Sequence, residues 1–250
     1  MQVDYDHQKN LHTENGPRAA LPLIFGDWKP NSLLDVGCGL GTWLKAAVEF
    51  GIPDIFGIDG VDIPKDKLLI SSDLFQQHNL TLPIDLGRRF DVALCLEVAE
   101  HLDEIFAKNI VKILTSHTDV VIFSAAPPWQ TGQHHVNCQH PAYWQSLFNE
   151  AGFTCFDEVR WRIWNHSEIE PWYRQNIFIA KRNSSESGQE ERIKAVVHPE
   201  LLPVIEGDVK FKSYIERVKQ IEDGAMPVEW YLRALVQGFK SKLARNSVGL

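Results

Sequence analysis

Short apolar runs of three to seven residues alternate along the chain with segments whose apolar positions recur at helical spacing. Leu33–Val36, Asp54–Asp59, Leu68–Ile70, Phe90–Leu96 and Asp119–Ala125 read as strands. Gly41–Phe50 carries Leu44, Ala47 and Val48 on one helical face, and Leu102–Thr115 carries Ile105, Ile110, Ile113 and Leu114. A helix over 140–151 and strands over 154–160 and 176–181 complete the run. Strands alternating with helices predict a doubly wound, seven-stranded, mostly parallel α/β sheet. Within 154–160 and just beyond, Trp161 and Arg162 read as facing opposite sides of an extended chain.

Flanking segments differ in pattern. Glu14–Trp28 has a helical scatter of apolar residues interrupted by Pro17 and Pro22, after a polar lead-in with Tyr5, His7 and His12. Asn183–Glu191 is polar and linker-like. Val209–Ile221 and Val228–Leu243 regain helical periodicity, with Trp230, Tyr231 and Phe239. The predicted organisation is an N-terminal lid segment over 1–31, a catalytic α/β domain over 32–182, and a linker with a helical extension over 183–250. The extension packs on its own domain or on a second copy, giving a homo-oligomer.

The chemistry gathers where predicted strands end, which is where open α/β sheets bind ligands. Asp35-Val36-Gly37-Cys38-Gly39-Leu40-Gly41 closes the first strand and opens a helix. Alternate glycines permit a sharp turn and let a ligand approach the main chain. Gly41 arrives one residue too early for a dinucleotide fingerprint, where Thr42 stands instead. Asp59, at the end of the second strand, can accept hydrogen bonds from both hydroxyls of a ribose. Asp73-Leu74 follows the predicted third strand, and Glu97-Val98-Ala99-Glu100-His101 follows the fourth.

The spacing Asp-x-Gly-x-Gly-x-Gly, together with Phe90-Asp91 and Glu97-Val98-x-Glu100-His101, resembles the class I S-adenosylmethionine (SAM) methyltransferases over about residues 30–182. That resemblance implies a Rossmann-like fold with SAM held by Asp35, Gly37, Gly39, Gly41, Asp59, Asp73 and Leu74. Asp73 would reach the adenine amino group, with Leu74 backing the ring. Gln133-His134-His135-Val136-Asn137, Pro141-x-Tyr143-Trp144 and Trp172-Tyr173-x-Gln175-Asn176 resemble a bacterial subgroup tied to glycan or natural-product modification.

If the chain turns helical after the fourth strand, Glu97, Glu100 and His101 share one face. Two carboxylates and an imidazole make a mixed oxygen and nitrogen site suited to Mg²⁺, Mn²⁺ or Zn²⁺, with Mg²⁺ or Mn²⁺ expected. Glu-x-x-Glu-His resembles the motif of small-RNA 2′-O-methyltransferases and ubiquinone-pathway O-methyltransferases. The former add a histidine from a later loop, and among His134, His135 and His140 the choice here is His135. Such a cation lowers the pKa of an attacking hydroxyl. The alternative is metal-free: Glu97 holds cofactor or substrate, and His135 or His101 is a general base for an amine or phenol. Trp129, Trp144, Trp161, Trp164 and Trp172 offer faces for sugar rings. Intact glycines and strand-end acids argue against a non-catalytic scaffold.

Composition narrows partners rather than fold. A formal net charge of −8 disfavours a nucleic-acid backbone and leaves a small-molecule or glycan acceptor. Four scattered cysteines form neither a disulfide frame nor a zinc pair. No apolar run reaches the roughly 18 residues of a membrane span, and the polar start has no signal core, so the expected location is cytoplasmic.

Overall fold

The computed structural model describes residues 13–202, and 216–236 apart from 218, 222 and 234. Tyr5, His7, His12, Phe239 and parts of both predicted C-terminal helices lie outside the described residues. Seven strands form one sheet in the order β3-β2-β1-β4-β5-β7-β6. They are β1 (Ser32–Val36), β2 (Asp54–Asp59), β3 (Phe75–Gln77), β4 (Val92–Leu96), β5 (Val120–Ser124), β6 (Phe153–Phe156) and β7 (Phe178–Arg182). Only β7 runs antiparallel to its neighbours. This is the expected doubly wound, mostly parallel sheet.

Both faces are covered, so the central strands are apolar throughout and their side chains alternate between two cores. Leu34, Ala93, Cys95, Val121 and Phe123 face α3 (Ala107–His117) and α4 (Pro141–Glu150), meeting Ile110, Leu114, Trp144 and Phe148. Leu33, Val92, Leu94 and Ile122 lie in the other core. There they join Leu21 and Phe25 of α1 (Asn15–Phe25), Leu44 and Ala47 of α2 (Thr42–Phe50), and Val159 and Ile163 of α5 (Glu158–Ile163). Tyr173 of α6 (Pro171–Asn176) belongs to the same core. Pro22 interrupts neither α1 nor its packing, because it faces solvent. No described helix is long and apolar enough to cross a membrane.

Four local expectations are corrected. Leu68–Ile70 is not the third strand. Leu69 N–H bonds the Leu40 carbonyl at 2.8 Å, and Ile70 packs over Gly41, so this apolar triplet covers the glycine turn. The strand forms later, at Phe75–Gln77. The helix expected from Leu102 starts at Ala107, after separate 3₁₀ turns at Ala99–His101 and Glu104–Phe106, because Leu102 is extended and buried. Ile105, before that helix, and Val48, on the outer side of α2, are exposed rather than core. Residues 158–163 are helical, not extended: Val159, Arg160 and Ile163 are buried while Trp161 and Arg162 face out.

The polar stretch after β7 is anchored, and the boundary between two compact units falls between Pro203 and Val204. Glu190 accepts from Gln145 (3.1 Å), Asn149 (2.6 Å) and the Cys155 backbone N–H (3.1 Å). Arg174, almost wholly buried, donates to Glu200 and to the Trp164 carbonyl. In the second unit, residues 228–233 are helical, and Trp230 and Tyr231 meet edge to face at 5.2 Å.

Glu190→Ala removes an acceptor shared by four donors, the fourth being the Gly188 N–H, and is expected to lower unfolding stability by about 2 kcal/mol. Glu186→Ala, which removes an exposed local contact with Asn183, is expected to cost under about 0.5 kcal/mol. Urea unfolding of both variants checks the difference.

Candidate active site

Both halves of the site sit at the carboxyl ends of the parallel strands. In the turn after β1, Gly37 and Cys38 N–H both bond the Ile58 carbonyl, which ties the turn to β2. Gly37 has φ 83°, and a Cβ there would lie 2.3 Å from Val98, so only glycine fits. Asp59 closes the turn from the other side: its carboxylate accepts from Gly39 N–H and Val61 N–H, each at 2.8 Å. α2 starts at Thr42 without a side-chain cap, leaving its first N–H groups for a ligand. A cleft opens beside this turn, lined by Thr13, Cys38, Trp43, Glu170, Trp172 and Tyr173.

Of the predicted cofactor residues, Asp35, Gly37, Gly39, Gly41 and Asp59 come together around this turn. Asp35 is buried within β1, where burial, and then the Asp59 charge, pushes its carboxyl up to about 8. Asp73 and Leu74 are displaced from expectation. They form a 3₁₀ turn at the amino end of β3, where Asp73 is exposed and its carboxyl is lowered by a hydrogen bond from the Ser71 hydroxyl. The residues following the carboxyl end of β3 are His78 and Asn79.

The second half begins at Glu97, directly after β4. Its backbone is left-handed, with φ 56°, and its N–H reaches both the carbonyl and the hydroxyl of Ser124. The side chain is held by amides: Gln130 Nε2 donates at 2.6 Å and Asn176 Nδ2 at 3.0 Å. Asn176 also donates to Gln130 Oε1 at 2.9 Å, joining the two clamps. Desolvation raises the Glu97 carboxyl to about 7 against the pull of these donors.

Glu100 is wholly buried; its carboxyl lies against the Ala126 backbone and the Glu97 carboxyl, and neither oxygen makes a well-formed hydrogen bond. Burial, followed by repulsion from Glu97, raises its pKa well above the carboxylate range. Its backbone carbonyl accepts from Val136 and Asn137 N–H, which draws the loop after β5 inward. His135 thereby meets His101 edge to face, with ring centroids 5.0 Å apart. Glu100, His101 and His135 each offer one ligand atom, and these atoms lie within 4.8 Å of one another. Glu97 is not part of that group, and no continuous helix aligns Glu97 with Glu100 and His101; a 3₁₀ turn does the work.

His135 Nδ1 lies 2.8 Å from the Gln130 carbonyl, which fixes the tautomer with the proton on Nδ1. Desolvation lowers the pKa of His135, and desolvation and then the His135 charge bring His101 down to about 4. A Cβ on Gly132 would lie 2.1 Å from His135 Nε2, so Gly132 is required for this approach. His134 and His140 are exposed, the latter at the start of α4. Sequence reasoning gave no role to Gln130, Thr13 or Glu170. The run Trp172-Tyr173-x-Gln175-Asn176 carried a signal without a function.

A family model described as a methyltransferase domain matches residues 8–158. No curated protein matches. Among solved structures, the chain is similar to the methyltransferase domain of bacterial CtHen1, at 16% identity over 68% of this chain and 98% of that one, with a TM-score of 0.50. DesVI of Streptomyces venezuelae is 14% identical over 67% and 91%, with a TM-score of 0.51. The sugar N-methyltransferase KedS8 from a Streptoalloteichus species is 18% identical over 71% and 90%, also at 0.51. These likenesses are of fold.

Asp35, Glu97 and Glu100 have folded-state pKa values above their unfolded values, so each contributes stability that is full at low pH and lost as pH rises. His101 and His135 act oppositely, and their contribution is complete above about pH 6.5. Melting between pH 7 and 8, below the ordinary range of the four free thiols, therefore reads mainly the carboxyls. Stability is expected to fall there by up to about 1.4 kcal/mol per pH unit per group, and Asp35→Asn and Glu100→Gln should each flatten the decline.

Proposed function

This chain belongs to the methyltransferase-domain family, and on that premise we propose that it transfers the methyl group of SAM to a hydroxyl of a sugar or glycosylated natural product, assisted by a divalent cation. The turn fits the donor: alternate glycines leave the main chain open, and the Asp59 carboxylate stands at its edge, braced by the Gly39 and Val61 N–H groups. SAM supplies an electrophilic methyl on a sulfonium centre. Asp59 would hold the ribose, the start of α2 the amino-acid end, and Asn79 the adenine end in place of Asp73.

The cation reading rests on Glu100. A wholly buried carboxyl whose oxygens make no well-formed hydrogen bond is costly, and here it stands beside two imidazoles in reach of one point. Glu100, His101 and His135 would hold the ion, with Glu97 beside them. A bound cation would supply Lewis acidity to adjacent acceptor oxygens. Among the fold relatives, KedS8 is a sugar methyltransferase acting on nitrogen; the preference for oxygen here rests on the mixed ligand set.

One observation favours a metal-free N- or O-methyltransferase. The Gln130 carbonyl fixes His135 as a neutral imidazole with a basic Nε2, which suits a general base. The two readings separate cleanly. Under the cation reading, Mn²⁺ or Mg²⁺ raises the melting temperature of the wild type and not of Glu100→Gln, and excess chelator lowers transfer from labelled SAM to sugar and glycoside acceptors at least tenfold. Unchanged melting and full transfer in chelator would falsify it and leave the His135 base.

The protein is read as acting in the cytoplasm on a small molecule or glycan rather than on nucleic acid, in keeping with its negative charge. The C-terminal extension is read as a self-association surface. Val228, Leu232, Leu235 and Val236 are all exposed, and their spacing of i, i+4, i+7 and i+8 gives one apolar stripe. Light scattering is expected to give a dimer for the full chain, and Leu232→Glu/Leu235→Glu a monomer.

A further inference from the structure

The loop between β5 and α4 carries a tryptophan that the fold does not need. Pro127, Pro128, Trp129 and Gln130 form a β-turn closed by Gln130 N–H to the Pro127 carbonyl at 3.1 Å. Trp129 occupies its third position with φ 78°. That is the place and conformation a type II turn reserves for glycine, and a bulky side chain is strained there. Burial does not offset the strain, since Trp129 is 76% exposed. A large apolar ring has thus been set in a disfavoured backbone and left in water.

Its neighbours explain where the ring is held. The next residue, Gln130, joins the two halves of the acceptor site: its side chain donates to Glu97 at 2.6 Å, and its carbonyl meets His135 Nδ1 at 2.8 Å. The turn that exposes Trp129 is therefore locked to both the carboxylate and the imidazole. Glu97 and His134 are the other non-glycine residues at positive φ among those described, and they belong to the same site. Strain concentrated in this way is a mark of function rather than of folding.

We propose that Trp129 is the acceptor-recognition residue, its indole forming a platform for the C–H face of the sugar ring whose hydroxyl is methylated. The proposal rests on the glycoside reading given above. An indole offers a flat apolar face, and a pyranose offers a flat patch of C–H groups beside its hydroxyls. Pairing those faces leaves the hydroxyl edge free to turn toward Glu97 and His135.

Two variants test it. Trp129→Gly removes the strain, so its urea midpoint is expected to equal or exceed that of the wild type; a lower midpoint makes Trp129 a structural residue and overturns the proposal. Binding of p-nitrophenyl glycosides is then measured by equilibrium dialysis with S-adenosylhomocysteine present, with p-nitrophenol as the reference for the aglycone. The wild type is expected to prefer a glycoside over p-nitrophenol. Trp129→Gly should bind it about tenfold more weakly and Trp129→Phe within about threefold, with S-adenosylhomocysteine affinity unchanged in both. Equal glycoside binding by Trp129→Gly overturns the platform while the glycoside reading stands. A wild type with no preference over p-nitrophenol overturns both.

Discussion

Two carboxyl groups three residues apart at the end of β4, Glu97 partly and Glu100 wholly buried, set the terms for the rest of this site. Glu97 and Glu100 cannot both be charged in a low-dielectric pocket without donors or a cation. The protein answers the first with amides from two distant elements, Gln130 after β5 and Asn176 at the end of α6. The second makes no well-formed hydrogen bond, has only the backbone at Glu100 and Ala126 and the Glu97 carboxyl against it, and shares its pocket with two histidines. One carboxylate is oriented and the other is left to be neutralised. That asymmetry favours an ion over a structural hydrogen-bond network, since a network would satisfy both.

The same constraint connects the site to the periphery. Asn176 lies beside Gln175, whose side-chain carbonyl accepts the His198 N–H at 2.8 Å. His198 sits in the segment beyond β7, where Arg174 and Glu200 bind it down. The segment beyond β7 is therefore continuous, through the side-chain amides of Gln175 and Asn176, with the Glu97 carboxylate. Its anchoring keeps α6 in register, and α6 supplies both Asn176 and the Tyr173 wall of the cleft.

The parallel sheet and the glycine turn were legible because they depend on local patterns: apolar runs of strand length, alternate glycines and an acid at a strand end. Errors arose where tertiary packing overrode the pattern. Leu68–Ile70 has strand composition, yet its Leu69 N–H and Ile70 side chain are held against the glycine turn, and the third strand forms past Asp73 rather than before it. Residues 158–163 read as extended from Trp161 and Arg162, but burying Arg160 against the Lys194 carbonyl requires a helix. The clamp on Glu97 was illegible for another reason. Gln130 and Asn176 are 33 and 79 residues away from it, and amides carry no spacing rule.

The non-glycine residues described at positive φ, Glu97, Trp129 and His134, give a physical criterion that periodicity cannot supply. Glycine at any of these positions would relax the backbone, so each side chain is retained against a conformational cost. For Glu97 the return is a carboxylate aimed at its amide clamp, and for His134 a carbonyl placed 3.4 Å from His101 Nδ1. Both lie inside the ligand cluster or touch it. Trp129 shares the cost but has no such internal contact to offset it, being held by its backbone and open to solvent. A residue that is strained, exposed and locked through its neighbour to Glu97 and His135 is explained most simply by a molecule that arrives from outside. The donor half of this enzyme is thus specified by glycines that relieve strain, and the acceptor half by residues that bear it.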